Sequence, residues 1–308
     1  MRAMTCGILV MMVSVALGQE TTQPATQPAS TADEGLPIVT PMRKARSLRI
    51  LQKAPLYSFS EKELDVYLNY LHESEPDALK RVLHLARKNI GQPYEIYLLG
   101  EAPYEMYDPD PMYCLSKSDC VTFVEHTYAM ALSNDWPGFF KTLQRLRYKD
   151  GKVGMVTRNH ESVADWDPNN RWLFDDITKS LGGGGTSVPL NLTWKPSKFF
   201  GKFGLGADMP DVKVVDAYIP RDKIESIQKE LKEGDVVHIV RGNDKEQWVG
   251  HFGLVAFGAD GAVNMIHSAE PAVREQGLLD YLEKNPKTLG MKFLRPKADP
   301  QKVADAQR

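Results

Sequence analysis

The sequence predicts an α+β protein, helices first and antiparallel strands after. Two patterns carry that reading: capped amphipathic segments between residues 60 and 132, and three short apolar runs parted by turn residues between 235 and 268. Ser60-Glu-Lys-Glu63 is a capping-box pattern, with Leu64, Tyr67, Leu68 and Leu71 behind it at helical spacing. After Pro76, residues 77–89 give a second helix through Leu79, Val82, Leu83 and Ala86, stopped by Gly91 and Pro93. Pro103, Pro109 and Pro111 mark an irregular stretch. A third helix is expected over 121–132, with Val121, Val124, Tyr128 and Leu132 on one stripe. DVVHIV (235–240), HFGLVAF (251–257) and AVNMIHS (262–268) read as strands, and the last two flank Gly258-Ala-Asp-Gly261, a hairpin signal. Residues 150–212 hold few regular signals. They carry four glycines (182–185) without the Gly-Lys-Ser/Thr of a phosphate loop, then Trp194, Phe199, Phe200 and Phe203. That stretch reads as long insertion loops, either a solvated excursion or a wall of a substrate groove.

The 308 residues are 42% hydrophobic, which suits a globular chain and excludes a wholly disordered one. With 38 basic and 40 acidic side chains, the balance excludes a strongly basic nucleic-acid binder and gives no pull toward anionic membranes. Three cysteines make no disulfide scaffold, and no Cys-x-x-Cys pair points to structural zinc. Residues 1–18, one cation before a short apolar core ending Ala16-Leu-Gly18, read as an export signal too short to span a bilayer. Residues 19–36 repeat Thr-Gln-Pro-Ala and read as a disordered linker. The expected domain is 37–296, followed by a polar tail, 297–308, expected to fray. No other segment has the length and apolarity of a membrane span.

One cysteine and two histidines offer a chemistry. Ser116-Lys-Ser-Asp-Cys120 sets N-cap formers just ahead of a helix and Cys120 in its first turn. Unpaired amides and the positive helix end meet there, and both favour a thiolate. The Cys120 amide can also donate to an oxyanion. His251 opens the first hairpin strand and His267 nearly ends the second. Standing directly opposite, they require residue i to pair with residue 518 − i around an odd loop centred on Ala259; an even loop puts them on opposite faces. On one face, His251 can take the thiol proton and His267 can orient the ring of His251. Other readings stand beside this one. Cys120 can be an ordinary buried cysteine, or can pair with Cys114 in a disulfide. The histidines can be plain strand residues, or can join His160 in a three-histidine zinc site. Asp165, Asp167, Asn169 and Asp176 match a calcium-loop spacing, but Asn170 stands where that loop needs glycine.

Several blocks occur in a telling order. Ala86-Arg-Lys-Asn-Ile-Gly-Gln-Pro-Tyr94, Asp119-Cys120, Gly234-Asp235-Val-Val, Gly250-His251-Phe-Gly253 and Ile266-His267-Ser resemble the blocks of NlpC-type papain-like cysteine hydrolases. Asp119-Cys-Val-Thr-Phe-Val-Glu125, Thr157-Arg-Asn-His160 and Gly290-Met-Lys-Phe-Leu-Arg295 look like the N-acetylmuramoyl-L-alanine amidase-like branch of that group. The resemblance implies a papain-like fold, with the nucleophile helix packed on an antiparallel sheet. It makes Cys120 the nucleophile, His251 the base and His267 the third member. It sets Tyr94 and Asp119 in support of the nucleophile and its oxyanion, and Arg158, Asn159 and His160 at the substrate groove. The implied reaction is hydrolysis of the amide between N-acetylmuramic acid and L-alanine in peptidoglycan fragments, with no cofactor and no metal, by an exported protein. A stem-peptide endopeptidase of the same fold is the sibling alternative. A zinc hydrolase and an inactive glycan-binding module are the alternatives from other classes.

Overall fold

The computed structural model describes residues 46–243 and 245–307. The expected export signal and linker, and the start of the expected domain, lie outside the described residues. Five helices form one layer: α1 (Leu48–Leu51), α2 (Glu61–Ser74), α3 (Ala78–Lys88), α4 (Cys120–Ala131) and α5 (Trp136–Arg147). Four of them begin on a side-chain oxygen that satisfies an orphan amide: Ser60, Asp77, Asp119 and Asp135. Ser60 completes the expected capping box with Glu63, and Asp119 makes a second with Thr122. Helix α5 has no counterpart among the helices expected from the sequence. Proline fits a helix's first turn, where its missing N–H has no partner to lose.

The strands are β1 (Phe174–Asp176), β2 (Val188–Trp194), β3 (Val212–Pro220), β4 (Val236–Gly242), β5 (Gln247–Phe257), β6 (Val263–His267), β7 (Arg274–Gly277) and β8 (Gly290–Pro296). They pair antiparallel in the order β2-β3-β8-β4-β5-β6-β7, with β1 also on β8. The α+β expectation holds. The sheet alternates as a two-sided sheet must. Val236, Phe252, Leu254, Ala256, Ile266 and Leu294 pack with the helical layer, including Leu64, Val82, Phe123, Val124 and Tyr128. Val237, Ile239, Val255, Met265, Met291 and Phe293 face the other way, onto Ile224, Ile227, Leu278, Tyr281 and Leu282. Each of these large apolar side chains, fully buried, contributes about 1.5–3 kcal/mol of transfer free energy.

Residues 150–212 are more regular than the sequence suggested. They supply β1, β2 and the start of β3, and they are pinned by charge. Lys292 of β8 is fully buried, with Asp167 at 3.4 Å, Asp216 at 3.2 Å and Asp176 also bonded to its ammonium. Two carboxylates of the calcium-loop pattern are thus held by the chain's own cation. Asp165 instead accepts the amides of His160 and Glu161. The tail is likewise ordered: Pro300–Asp305 is a helix capped by Asp299, and Gln301 Oε1 accepts from the buried Arg81 at 2.6 Å. No helix among the described residues is long and apolar enough to cross a membrane.

Candidate active site

Cys120 is the first residue of α4. The Asp119 carboxylate takes the Thr122 amide at 2.8 Å, which leaves the amides of Cys120 and Val121 turned toward the sulfur. The amide of Phe252, next in the chain to His251, faces it as well. That amide is available because β5 and β6 pair only from Leu254↔Ile266 to Phe257↔Val263. Nearer the histidines the ladder between the two strands ends, and the Phe252 amide is met by the sulfur at the start of α4. Cys120 keeps partial solvent access, yet its surroundings are dense: burial pushes the thiol up to about 12, Asp119 adds to the rise, and the three amides oppose it. Burial thus opposes the thiolate that the helix end and its amides favour. Both Cys114 and Cys120 are free thiols, so the disulfide reading is corrected.

A strap holds the cysteine loop against the end of β6. Ser118 N donates to Pro93 O, Glu95 N to Ser118 O and Tyr94 N to Pro271 O, so the Gly-Gln-Pro-Tyr block threads between the two. Ser118 Oγ donates to Gln92 Oε1 at 2.8 Å, and Ser268 Oγ donates to Ser118 O at 2.9 Å. Tyr94 arrives beside Cys120 and Asp119, and its phenol is raised, first by burial and then by those two neighbours.

His251 and His267 share the sheet face that carries Val255, Met265 and Tyr281. The hairpin loop is odd, as one face requires, but the register is i with 520 − i, centred on Asp260. The two imidazoles are therefore diagonal neighbours, not directly opposite. Gly250 is an extra residue in β5, since Ile239 pairs His251 while Val240 pairs Val249; the bulge re-aims His251. Gly253 is required because a Cβ there would lie 2.5 Å from Met265 Cγ. His251 Nε2 lies 2.7 Å from His267 Nδ1, and His267 Nε2 lies 3.1 Å from Gln276 Oε1. Burial holds His251 well below the usual histidine range, with His267, Arg241 and Arg274 adding to the effect, and it lowers His267 to about 4. Both shifts favour the neutral rings. Neither is among the leading influences on the Cys120 thiol.

The other sequence candidates are engaged within the chain. Arg158 donates to Leu99 O and Asp108 and pairs with the fully buried Glu101. Asn159 Nδ2 donates to Leu146 O, and its Oδ1 accepts from Asn169. His160 bonds Met155 O and packs on Phe199 and Phe200, away from the other two histidines, so the three-histidine zinc site is not assembled. Among the described residues no group of three or more His, Cys, Asp or Glu could hold a metal ion. Residues 97–111, which Arg158 braces, present Tyr97 with 87% exposure and φ +57°, within electrostatic reach of Tyr94. Sequence reasoning passed over Tyr97 and Gln276, for neither sits in a catalytic pattern. Glu125 also gains a place: it accepts from Trp166 Nε1 at 2.9 Å and pairs with Arg147 at 3.4 Å, stitching α4 to α5 and the 160–166 turn.

The model of the AmiA-like family, N-acetylmuramoyl-L-alanine amidase-like proteins, matches residues 84–291. The chain belongs to that family. The match takes in Tyr94, Cys120, His251 and His267 and stops short of α1 and α2. Two crystal structures have a similar fold to this family member. A Legionella pneumophila protein of family DUF1460 is 21% identical, with a TM-score of 0.67, covering 77% of this chain and 95% of its own. An N-acetylmuramoyl-L-alanine amidase from Bacteroides uniformis is 23% identical, with a TM-score of 0.58, covering 71% of this chain and 99% of its own. No protein with a curated description matches.

Proposed function

We propose that this family member is a papain-like cell-wall amidase, with Cys120 as nucleophile, that hydrolyses the N-acetylmuramoyl-L-alanine bond of peptidoglycan fragments. One observation carries the assignment of roles: the 2.7 Å bond between His251 Nε2 and His267 Nδ1 occupies one nitrogen of His251 and leaves Nδ1 for the thiol proton. Burial favours the neutral forms of both thiol and imidazole, so in this reading the proton moves to His251 Nδ1 as sulfur attacks the muramoyl carbonyl. The charge that develops on the carbonyl oxygen is met by the Cys120 amide and the Tyr94 hydroxyl. Collapse of the tetrahedral species transfers the proton from His251 to the leaving alanine nitrogen. The thioester left on Cys120 is then cleared by water, deprotonated by the same ring. No metal or cofactor enters these steps. Arg158, Asn159 and His160 act indirectly, by fixing the walls of the groove. Export through residues 1–18 would carry the enzyme to its substrate.

The test is mass spectrometry of products from a defined muropeptide, with wild type and Cys120→Ala. Release of an L-alanine-headed peptide by wild type alone supports the reading. A cut inside the stem peptide with the muramoyl-alanine bond intact replaces it with the endopeptidase. Undiminished turnover by Cys120→Ala rejects cysteine catalysis altogether.

A further inference from the structure

We infer that Gln276, oriented by Arg274 and Asp280, is the residue that fixes which nitrogen of His251 carries the proton. The inference rests on the cysteine-amidase reading and extends it beyond Cys120, His251 and His267. Gln276 lies on β7, diagonal to His267, since β6 and β7 pair His267 with Arg274 and Met265 with Gln276. Its amide has two unlike ends. Arg274 Nε donates to Gln276 Oε1 at 3.1 Å, and Gln276 Nε2 donates to Asp280 Oδ2 at 3.3 Å. Those two bonds turn the oxygen, not the NH2, toward His267 Nε2.

A carbonyl oxygen only accepts, so His267 Nε2 carries the hydrogen. In a neutral ring Nδ1 is then the acceptor. The only bond it can make with His251 Nε2 is one in which His251 donates. His251 therefore holds its hydrogen on Nε2 and a lone pair on Nδ1, as a base for a thiol requires. A reversed Gln276 amide would put the hydrogen of His267 on Nδ1 and force the opposite tautomer on His251, with Nδ1 blocked. Arg274 and Asp280 thus act through Gln276, Gln276 through His267, and none of the three needs to touch substrate. Gln276 and its two anchors are positioning residues.

Among the described residues, the charged and titratable groups around the pair include Arg241 from β4, Arg274 from β7, and Tyr281 and Asp280 from Leu278–Lys284, with Cys120 across from His251 in the proposed reading. Among the described residues no carboxylate bonds either imidazole directly. Gln276→Glu would supply one at the same place, still an acceptor, and would favour the protonated rings.

The experiment uses the whole protein in three forms: wild type, Gln276→Leu and Gln276→Glu, with Cys120→Ala as the control on the underlying reading. Nitrogen-15 histidine spectra should show His251 and His267 of wild type both as Nε2–H tautomers, and a tautomer mixture at His251 in Gln276→Leu. On muropeptide, Gln276→Leu should lower kcat roughly 10- to 100-fold with KM within about twofold. Gln276→Glu should recover most of that kcat and shift the acid limb of the pH profile upward. Wild-type tautomers and wild-type kcat in Gln276→Leu would overturn the inference while leaving the amidase reading intact. Activity in Cys120→Ala would remove the reading itself, whatever the histidine spectra show.

Discussion

Arg158 sets its guanidinium 2.9 Å from Asp108 and 3.2 Å from Glu101, a carboxylate with no exposure to solvent. Arg158 is itself mostly enclosed, so this is a largely buried ion pair, and removing one member strands the other. Arg158→Leu is expected to cost about 3–5 kcal/mol of folding stability, read as a lower urea midpoint. Unchanged unfolding with a higher KM alone would instead make Arg158 a direct substrate ligand.

The loop that Arg158 braces carries a strained residue. Tyr97 holds a left-handed conformation, φ +57°, while its ring is nearly all in solvent. Strain of this kind persists where the surroundings impose it, and an exposed ring on a braced loop beside Tyr94 points to contact with substrate. Tyr97→Gly relieves the backbone strain, so stability should change by no more than about 1 kcal/mol. Turnover of muropeptide should nevertheless fall. A fully active Tyr97→Gly enzyme would show that the ring has no part in binding.

Features set by local chemistry were legible in the sequence, and those set by distant packing were not. The capping box at Ser60, the stop at Gly91 and the turn signal around Asp260 each depend on a few neighbouring residues. Strand β2 was missed because most of its residues are open or half-open to solvent, so VPLNLTW has no apolar run to announce it. The helix Pro300–Asp305 looked like a tail because only Pro300 and Ala304 are buried. At the site, the sequence left the parity of the hairpin loop open, and with it the shared face of His251 and His267; the register centred on Asp260 supplies both that face and their diagonal offset. The dipole argument at Cys120 named a real influence but left out the burial that opposes it. Gln276 left no signal, for its role depends on Arg274 and Asp280 meeting it across a strand and a helix.

The buried rings also make a pH prediction. His267 stays neutral in the fold down to about 4, whereas an unfolded histidine titrates near 6.5. Below 6.5 the unfolded chain takes up that proton first, so the contribution of His267 to stability is complete above about 6.5 and is lost as pH falls toward 4. At about 1.4 kcal/mol per pH unit, the loss reaches about 3 kcal/mol. Glu125 and Glu161, both raised to about 7 by burial, act in the opposite sense. The informative quantity is therefore the difference between wild type and His267→Gln. Urea unfolding at pH 7, 5.5 and 4 should show the variant gaining on wild type as pH drops. A constant difference would mean that His267 titrates in the fold as it does in the unfolded chain.

Asp119 both caps the nucleophile helix and opposes the ionisation of the thiol beside it, and one substitution separates the two effects. In Asp119→Asn the side-chain oxygen can still accept from Thr122 N, and asparagine caps about as well as aspartate, so stability should hold. The negative charge is gone, so the thiol becomes easier to ionise. In a Cys114→Ser background, iodoacetamide should alkylate wild-type Cys120 slowly at pH 7, at a rate that climbs with pH into the alkaline range. Asp119→Asn should react roughly three- to tenfold faster at the same pH, the effect expected of one charge at close range in a partly desolvated site. Equal rates in both proteins would mean that burial alone holds the proton on sulfur. Fast alkylation of wild type at pH 7 would show a standing thiolate, and with it a catalytic cycle that begins from an ion pair.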